Sequence, residues 1–264
     1  MPHRDVSPPV ARVLSVVMPA YNEEPTLRQS VRAVVDQVPA LLELVLVDDG
    51  SQDATGKIAD ELALEDSRVR VIHHSVNQGK TAALRTGFAA TRGDVVIVQD
   101  ADLEYDPSEI AAVIDPILRN QADVVFGSRF MVRKAARVLY FYHFLANKAL
   151  TFMSNVFTNV NMSDVETCYK AFRGDIIRNM TITSTGFGFE IEVTAKIAKL
   201  HCRLYEVPIS YYGRTYAEGK KIGFKDGLAA GWYIIRYNLF CGTAESFVRM
   251  PELPGRRGSG QPKP

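Results

Sequence analysis

The first regular stretch, RVLSVVMPAYN, is apolar at most positions and then turns abruptly polar. The same texture returns in LELVLVDDGS, VRVIHH, DVVIVQD and ADVVFGSR. A strand buried on both faces has no polar side, so short continuous apolar runs predict strands of a parallel sheet covered by helices. The segments between them read as helices: EEPTLRQSVRAVVDQV, DATGKIADELALE, KTAALRTGFAATRG and DPSEIAAVIDPIL. Local chemistry marks their ends. Pro25 suits an early position of the first helix, with acids at its positive end. Asp53 is the expected cap of the second, Gly93 the expected stop of the third, and Asp106 a sufficient cap for the fourth. The predicted class is α/β, a mostly parallel sheet with helices on both faces, and no internal repeat is visible.

Composition narrows the picture. With 264 residues and 47% hydrophobic content the chain can bury one large core. A formal net charge of +1 gives no basis for a nucleic-acid partner. Cys168, Cys202 and Cys241 are distant and odd in number, which fits a reduced intracellular chain with neither disulfides nor a zinc site. Residues 1–12 read as a flexible arm and not a signal peptide. Residues 250–264, rich in Pro, Gly and basic groups, read as disordered. GLAAGWYIIRYNLFCG falls short of the roughly 20 apolar residues a membrane span needs and contains Arg236 and Asn238. It predicts an amphipathic helix within 226–249, lying on the domain, a membrane surface or a partner.

In open α/β sheets, ligands bind beyond the carboxyl ends of the strands. The polar punctuation falls there each time: Tyr21-Asn22-Glu23, Asp48-Asp49-Gly50-Ser51, Asp100 and Asp102, Ser128-Arg129. If Asp100 and Asp102 lie in an extended exit segment, they share a face. Two carboxylates at ~4 Å repel by about 4 kcal/mol at an effective dielectric near 20. A divalent cation removes that repulsion, and oxygen ligands select Mg²⁺ or Mn²⁺. Two acids, with Glu104 as a candidate third, leave coordination positions that substrate phosphates usually fill. A nucleotide diphosphate is the expected ligand, with Asp49 placed to accept from a base or ribose. NQGKTAALRTG lacks Walker spacing, and no G-x-G-x-x-G follows the first strand.

Taken in order, VVMPAYNEE, LVDDGSQDAT, NQGKTAALRTGF, DADLEYDP, FGSRF and YEVPISYYGRTYAEGKKIG resemble the family-2 GT-A glycosyltransferases, and within them the dolichol-phosphate mannosyltransferase group. The resemblance covers residues 13–225 and implies a Rossmann-like GT-A domain there. It implies an inverting, metal-dependent transfer of a hexose, from GDP-mannose or UDP-glucose, to a polyprenyl or dolichyl phosphate. It also implies roles: Pro19, Tyr21, Glu23 and Asp49 holding the nucleotide, Val47 and Ala101 lining it, and Asp100, Asp102 and Glu104 binding the metal. Arg129 would meet the phosphates at the reacting centre, and Arg214 and Lys220 would close over the donor. Asp102, Arg129 and Arg214 are then the expected catalytic set. Arg and Lys at a leaving diphosphate stabilise the charge that develops there.

A phosphate acceptor is already an anionic oxygen and needs cations rather than a general base; Arg129, with Arg133 or Arg137, is the expected acceptor set. The aromatic-rich stretch RKAARVLYFYHFLANKALTFMSN suits a helix at a lipid surface. Asp164 matches an acid that recurs in the family, with a role either structural or near the acceptor; that of His143 is equally open. His73 and His74 read as strand-end residues and not metal ligands. DLEYDP and ETCYKAFR depart from the common mannosyl versions, which leaves the sugar open. A peripheral location on the cytoplasmic face of a membrane is expected, with a membrane-spanning partner or a second copy as candidate company. Transfer to a polysaccharide or other soluble acceptor is the alternative.

Overall fold

The computed structural model describes residues 13–131, 140–213 and 224–253. Seven strands form one sheet in the order β3-β2-β1-β4-β6-β5-β7. They are β1 (Leu14–Ala20), β2 (Leu41–Asp48), β3 (Val69–His73), β4 (Val95–Val98), β5 (Val124–Ser128), β6 (Lys170–Arg173) and β7 (Leu204–Pro208). The intervening helices are α1 (Leu27–Gln37), α2 (Thr55–Glu65), α3 (Lys80–Ala90), α4 (Ile110–Leu118, after a 3₁₀ turn at Pro107–Glu109), α5 (Phe141–Thr158), α6 (Gly174–Asn179), α7 (Phe189–Leu200), α8 (Phe224–Leu239) and α9 (Thr243–Ser246).

The apolar runs became strands as expected, and their middles are closed to solvent: Val16, Val17, Leu44, Leu46, Val96 and Ile97 are all 0% exposed. Helices cover both faces, which is why these strands carry no polar side. The sheet is not wholly parallel. β6 lies between β4 and β5 and runs antiparallel to both. Its sequence, KAFR, has two charged residues in four and no apolar run, so nothing local announces it. It is a strand because the sheet supplies a partner on either side.

Several helix ends differ from expectation. α1 starts at Leu27 behind Thr26, with no acid in its first turn. Pro25 and the acids lie in the preceding loop, because that loop is engaged elsewhere: Asn22 N–H donates to Ser51, Glu23 N–H to Thr55 and Glu24 N–H to Asp53, while Gln52 N–H and Ala54 N–H donate back to Asn22 and Glu24. Asp53 accepts from Thr55 N–H at 3.0 Å, one residue outside the expected capping position, which Ala54 fills. α3 ends at Ala90, with Thr91 already extended, and Gly93 does not close it. Gly93 is small for a different reason. A Cβ there would lie 2.6 Å from the Val13 carbonyl oxygen and 2.7 Å from Ser15 N, where the chain enters β4 against β1. Asp106 does cap the 3₁₀ turn, accepting from Ser108 N–H at 2.9 Å.

Register aligns the rim. Ala20 pairs with Asp48, and Asp48 with His73, so the three parallel strands end level. The residues just beyond them share one edge of the molecule. The C-terminal helix α8 is two-sided: Ala230, Ile234 and Tyr237 are buried, while Leu228, Trp232 and Leu239 are exposed. No helix among the described residues is long and apolar enough to cross a membrane.

Candidate active site

The rim begins with Asp49. Gly50 takes φ +69°, and a Cβ on it would fall 2.5 Å from the Val76 carbonyl carbon, so the β2–α2 turn requires glycine and presses the 74–79 loop against the strand ends. Asp49 anchors that loop. Its carboxylate accepts from Gly79 N–H at 2.7 Å and Gln78 N–H at 3.0 Å, and lies 2.6 Å from Nδ1 of His74. The other ring nitrogen of His74 is 2.9 Å from Thr86 Oγ1. Next to it, His73 bridges Asp48 at 2.9 Å and Asp60 at 3.0 Å. Asp48 and then Asp60 raise the His73 pKa. Both histidines are thus carboxylate-paired strand-end residues. Asp49, expected at a base or ribose, is only 2% exposed and is engaged with the loop.

The loop delivers Lys80, the first residue of α3. Its ammonium lies 2.9 Å from Asp100 and 3.2 Å from Glu190, which stands at the start of α7. Burial alone would depress Lys80, but Asp100 first, with Cys168 and Glu190, holds its pKa well above the ordinary value. The Cys168 thiol faces the same group; burial and then Asp100 push it up.

The acidic exit differs from the extended segment expected. β4 stops at Val98, residues 101–105 turn, and Leu103 has φ +63°. The chain already turns at 101–102, so the two-residue alternation expected of Asp100 and Asp102 does not hold, and left-handed Leu103 separates Asp102 from Glu104. Asp102 accepts from Glu104 N–H at 3.1 Å, while the Glu104 side chain accepts from the Tyr211 hydroxyl at 2.8 Å. Among the described residues no three His, Cys, Asp or Glu side chains come together as a metal-holding group. The trio Asp100, Asp102 and Glu104 is therefore not assembled. The pair Asp100 and Asp102 still offers hard oxygen donors, a set that fits Mg²⁺ or Mn²⁺ with phosphate oxygens completing the shell.

On the other side of the turn stands Arg129. Nε is 2.7 Å from Asp164 Oδ2, Nη2 is 2.8 Å from Oδ1, and the backbone N–H of Arg129 also donates to Oδ2. Burial disfavours both charges. Asp164 nevertheless holds Arg129 well above its usual pKa, and Arg129 holds Asp164 below the usual carboxylate range. Asp164 is fixed in turn: neighbouring Ser163 donates its N–H to Glu206 of β7 and pairs with Ser128 of β5 at 2.6 Å. The Arg129 guanidinium lies 5.0 Å over the Tyr211 ring, which neighbours Tyr105 at 5.3 Å. Tyr105 stacks on Tyr169 at 4.8 Å. Tyr211 therefore links the cation to the acidic turn. The segment carrying it is pinned by Ser210 on Glu109 and by Tyr212 N–H on the Glu104 carbonyl.

Beneath lies Glu166, whose pKa burial and then Glu190 raise to about 7. Lys170, capped by the carbonyls of Val165 and Thr167, is lowered to about 8, chiefly by burial.

Of the residues expected at the site, the fold brings Asp49, Asp100, Asp102, Glu104 and Arg129 to the carboxyl rim, with Tyr21 and Glu23 in the adjoining β1–α1 loop. Val47 and Ala101, expected to line a nucleotide, have side chains closed off by protein, 0% and 2% exposed. Val47 belongs to an apolar cluster with Val45 and Ala83, because strand alternation turns both valines toward α3. Pro19 lies one residue inside the end of β1. Arg133, Arg137, Arg214 and Lys220 lie outside the described residues. Sequence reasoning missed Lys80, Glu190 and Tyr211. The signal for Lys80 was NQGK, set aside for lacking Walker spacing; Tyr211 lay in the motif YEVPISYYGRTYAEGKKIG with no role given to it, and Glu190 carried no local signal.

Residues 15–181 match the family described as glycosyl transferase family 2. An undecaprenyl-phosphate mannosyltransferase of Micrococcus luteus is 31% identical over 244 residues, covering 86% of this chain and 99% of that protein. A polyprenol monophosphomannose synthase of Mycolicibacterium smegmatis is 32% identical over 222 residues, covering 81% of this chain and 83% of the other. Glucosyl-3-phosphoglycerate synthase from Mycobacterium tuberculosis, solved with Mn²⁺, uridine diphosphate and phosphoglyceric acid, shares the fold at TM-score 0.66 and 20% identity, covering 86% of this chain and 77% of that one. With its rim of acids and cations on this sheet and its sequence matched across residues 15–181, the chain belongs to glycosyl transferase family 2.

Proposed function

We propose that this chain transfers a hexose from a nucleotide-sugar to a polyprenyl phosphate at a membrane surface, with inversion at the anomeric carbon. The observation that carries this reading is the placement of Tyr211: its ring lies under the Arg129 guanidinium and its hydroxyl on Glu104 of the acidic turn. A fixed cation and a carboxylate of the acidic turn thus stand one tyrosine apart, as a reaction between two phosphate-bearing substrates demands.

In this reading Asp100 and Asp102 hold a Mg²⁺ or Mn²⁺ ion, which supplies charge neutralisation for the leaving diphosphate. Arg129 directs towards the phosphates the N–H groups not given to Asp164; an arginine has five, and two go to that carboxylate. A phosphate oxygen of the acceptor forms the new bond to the anomeric carbon, the bond to the diphosphate oxygen breaks, and its electron pair leaves with the diphosphate. No proton is removed from the acceptor, so no general base is required. The sequence further assigns Arg133 and Arg137 to the acceptor phosphate, and the family resemblance assigns Arg214 and Lys220 to the donor. Tyr21 and Glu23 face the nucleotide from the β1–α1 loop, with Asp49 organising the loop beside them.

The lipid side rests on α5 and α8, which pack together through Leu150, Met153 and Ala230. Their exposed faces carry Phe141, Phe152 and Val156, and Leu228, Trp232 and Leu239. Large apolar groups in such number on adjacent helices fit an interfacial face, here on the cytoplasmic leaflet. The relatives named for undecaprenyl and polyprenol phosphates support the acceptor class.

The test is a donor panel of GDP-mannose and UDP-glucose with undecaprenyl phosphate in detergent and Mn²⁺ or Mg²⁺. The expected product is labelled sugar that partitions into butanol with stoichiometric release of the nucleoside diphosphate. Label that remains in water on a soluble acceptor overturns the lipid assignment.

A further inference from the structure

We propose that Lys80 is a positioning residue that couples the loading of cation and donor: its ammonium pairs with Asp100, so it weakens capture of a bare divalent ion and strengthens capture of the diphosphate. This rests on the reading above, in which Asp100 serves the metal.

Lys80 is held on both sides of its backbone. Asp49 accepts the N–H groups of Gln78 and Gly79, and the N–H and hydroxyl of Thr81 both donate to the Gly186 carbonyl. Gly79 sits at φ +91°, which sets the direction in which α3 begins. The ammonium therefore reaches Asp100 at 2.9 Å from a fixed base, with the two side chains only 16% and 18% exposed. Glu190 braces it from the far side at 3.2 Å, and the other Glu190 oxygen is buried with no hydrogen-bond partner among the described residues. Lys80 thus pairs with two carboxylates, one of them expected to bind metal.

An entering cation must share Asp100 with this ammonium, and like charges at such range oppose each other strongly away from bulk water. An entering diphosphate meets the reverse situation. With Asp100 neutralised by Lys80, the phosphates approach a less negative edge. Removing the ammonium reverses both effects, which gives opposite signs for two affinities. Loss of structure would lower both.

The experiment measures Mn²⁺ binding without nucleotide, by electron paramagnetic resonance, and GDP and UDP binding without metal, by calorimetry in EDTA. The proteins are wild type, Lys80→Met, Lys80→Arg and the double variant Lys80→Met/Glu190→Gln. The double variant removes one positive and one negative group, so the local net charge is that of wild type and the fold keeps no orphaned Glu190. For Lys80→Met, bare Mn²⁺ is expected to bind about tenfold or more tighter, and the metal-free diphosphate about tenfold or more weaker; the charge-balanced double variant, which frees Asp100 alone, is expected to shift both affinities in the same directions by a smaller factor, about threefold. Lys80→Arg is expected to stay near wild type on both. If Mn²⁺ affinity falls or stays constant in the double variant, the proposal is overturned while donor binding by the wild type stands. If neither GDP nor UDP binds wild type with or without Mn²⁺, the donor reading fails and takes this proposal with it.

Discussion

Arg129 and Asp164 meet at two points, Nε to Oδ2 at 2.7 Å and Nη2 to Oδ1 at 2.8 Å, with Asp164 fully buried. Removing one member leaves the other charged and enclosed. Asp164→Ala is expected to cost about 3–5 kcal/mol of stability and to abolish transfer, read by urea unfolding and product formation. Asp164→Asn keeps shape but loses the charge and one of the paired bonds, so it retains fold better than activity. The depressed Asp164 pKa also sets a sign. Its stabilisation is present above the ordinary carboxylate value near 4 and is lost as pH falls through the lower folded value. Acid unfolding of Asp164→Asn should therefore be shallower than that of wild type.

Asp102→Ala should leave the fold intact, since Asp102 sits in an exit turn outside the strands. Transfer is expected to fall by about two orders of magnitude or more, the scale of losing one transition-state electrostatic group. Chelation by EDTA should stop wild type reversibly, with activity restored by Mn²⁺ or Mg²⁺. Full activity of Asp102→Ala under chelation would remove the acid pair from the mechanism.

His73 has a raised pKa from Asp48 and Asp60. A raised folded value contributes stability below the ordinary histidine pKa near 6.5, which is lost as pH climbs through the folded value. The side chain is 41% exposed, so the effect is small. The melting temperature of wild type relative to His73→Gln should decline as pH rises above about 6.5; parallel curves would show that the pairing contributes nothing.

Gly87 packs α3 on the sheet: a Cβ there would fall 2.3 Å from a Val17 methyl carbon. Gly87→Ala is expected to destabilise by about 1–3 kcal/mol through overpacking. Gly231, mid-way along α8, meets only Met153, at 3.5 Å, among the described residues. There alanine should stabilise by roughly 0.5–1 kcal/mol from helix propensity. Thermal melts of the two variants should move in opposite directions.

The chain has a single tryptophan, Trp232, 55% exposed on α8. Its emission should shift to the blue on adding vesicles that contain anionic lipid, as the ring enters the interface. Phe152→Ser with Leu228→Ser should reduce that shift and vesicle co-sedimentation together. An unchanged spectrum at saturating lipid would rule out α8 as the contact.

The sequence alone determined the parts whose cause is local or periodic. Continuous apolar runs such as LELVLV and VVIV force buried strands, because only a doubly covered sheet removes that much apolar surface from water. The rule that ligands gather beyond strand ends then places Asp49, Asp100, Asp102 and Arg129 on one rim from the sequence alone. Tertiary structure decided what depends on distant neighbours. KAFR became a strand only because β4 and β5 offered partners on both sides. Glu104 turned to Tyr211, 107 positions away, because Leu103 takes a left-handed conformation. Lys80 met Asp100 and Glu190 because α3, the β4 exit and α7 converge there. Such encounters depend on how the chain closes long loops, and no pattern within one segment encodes which charged side chains those loops bring together.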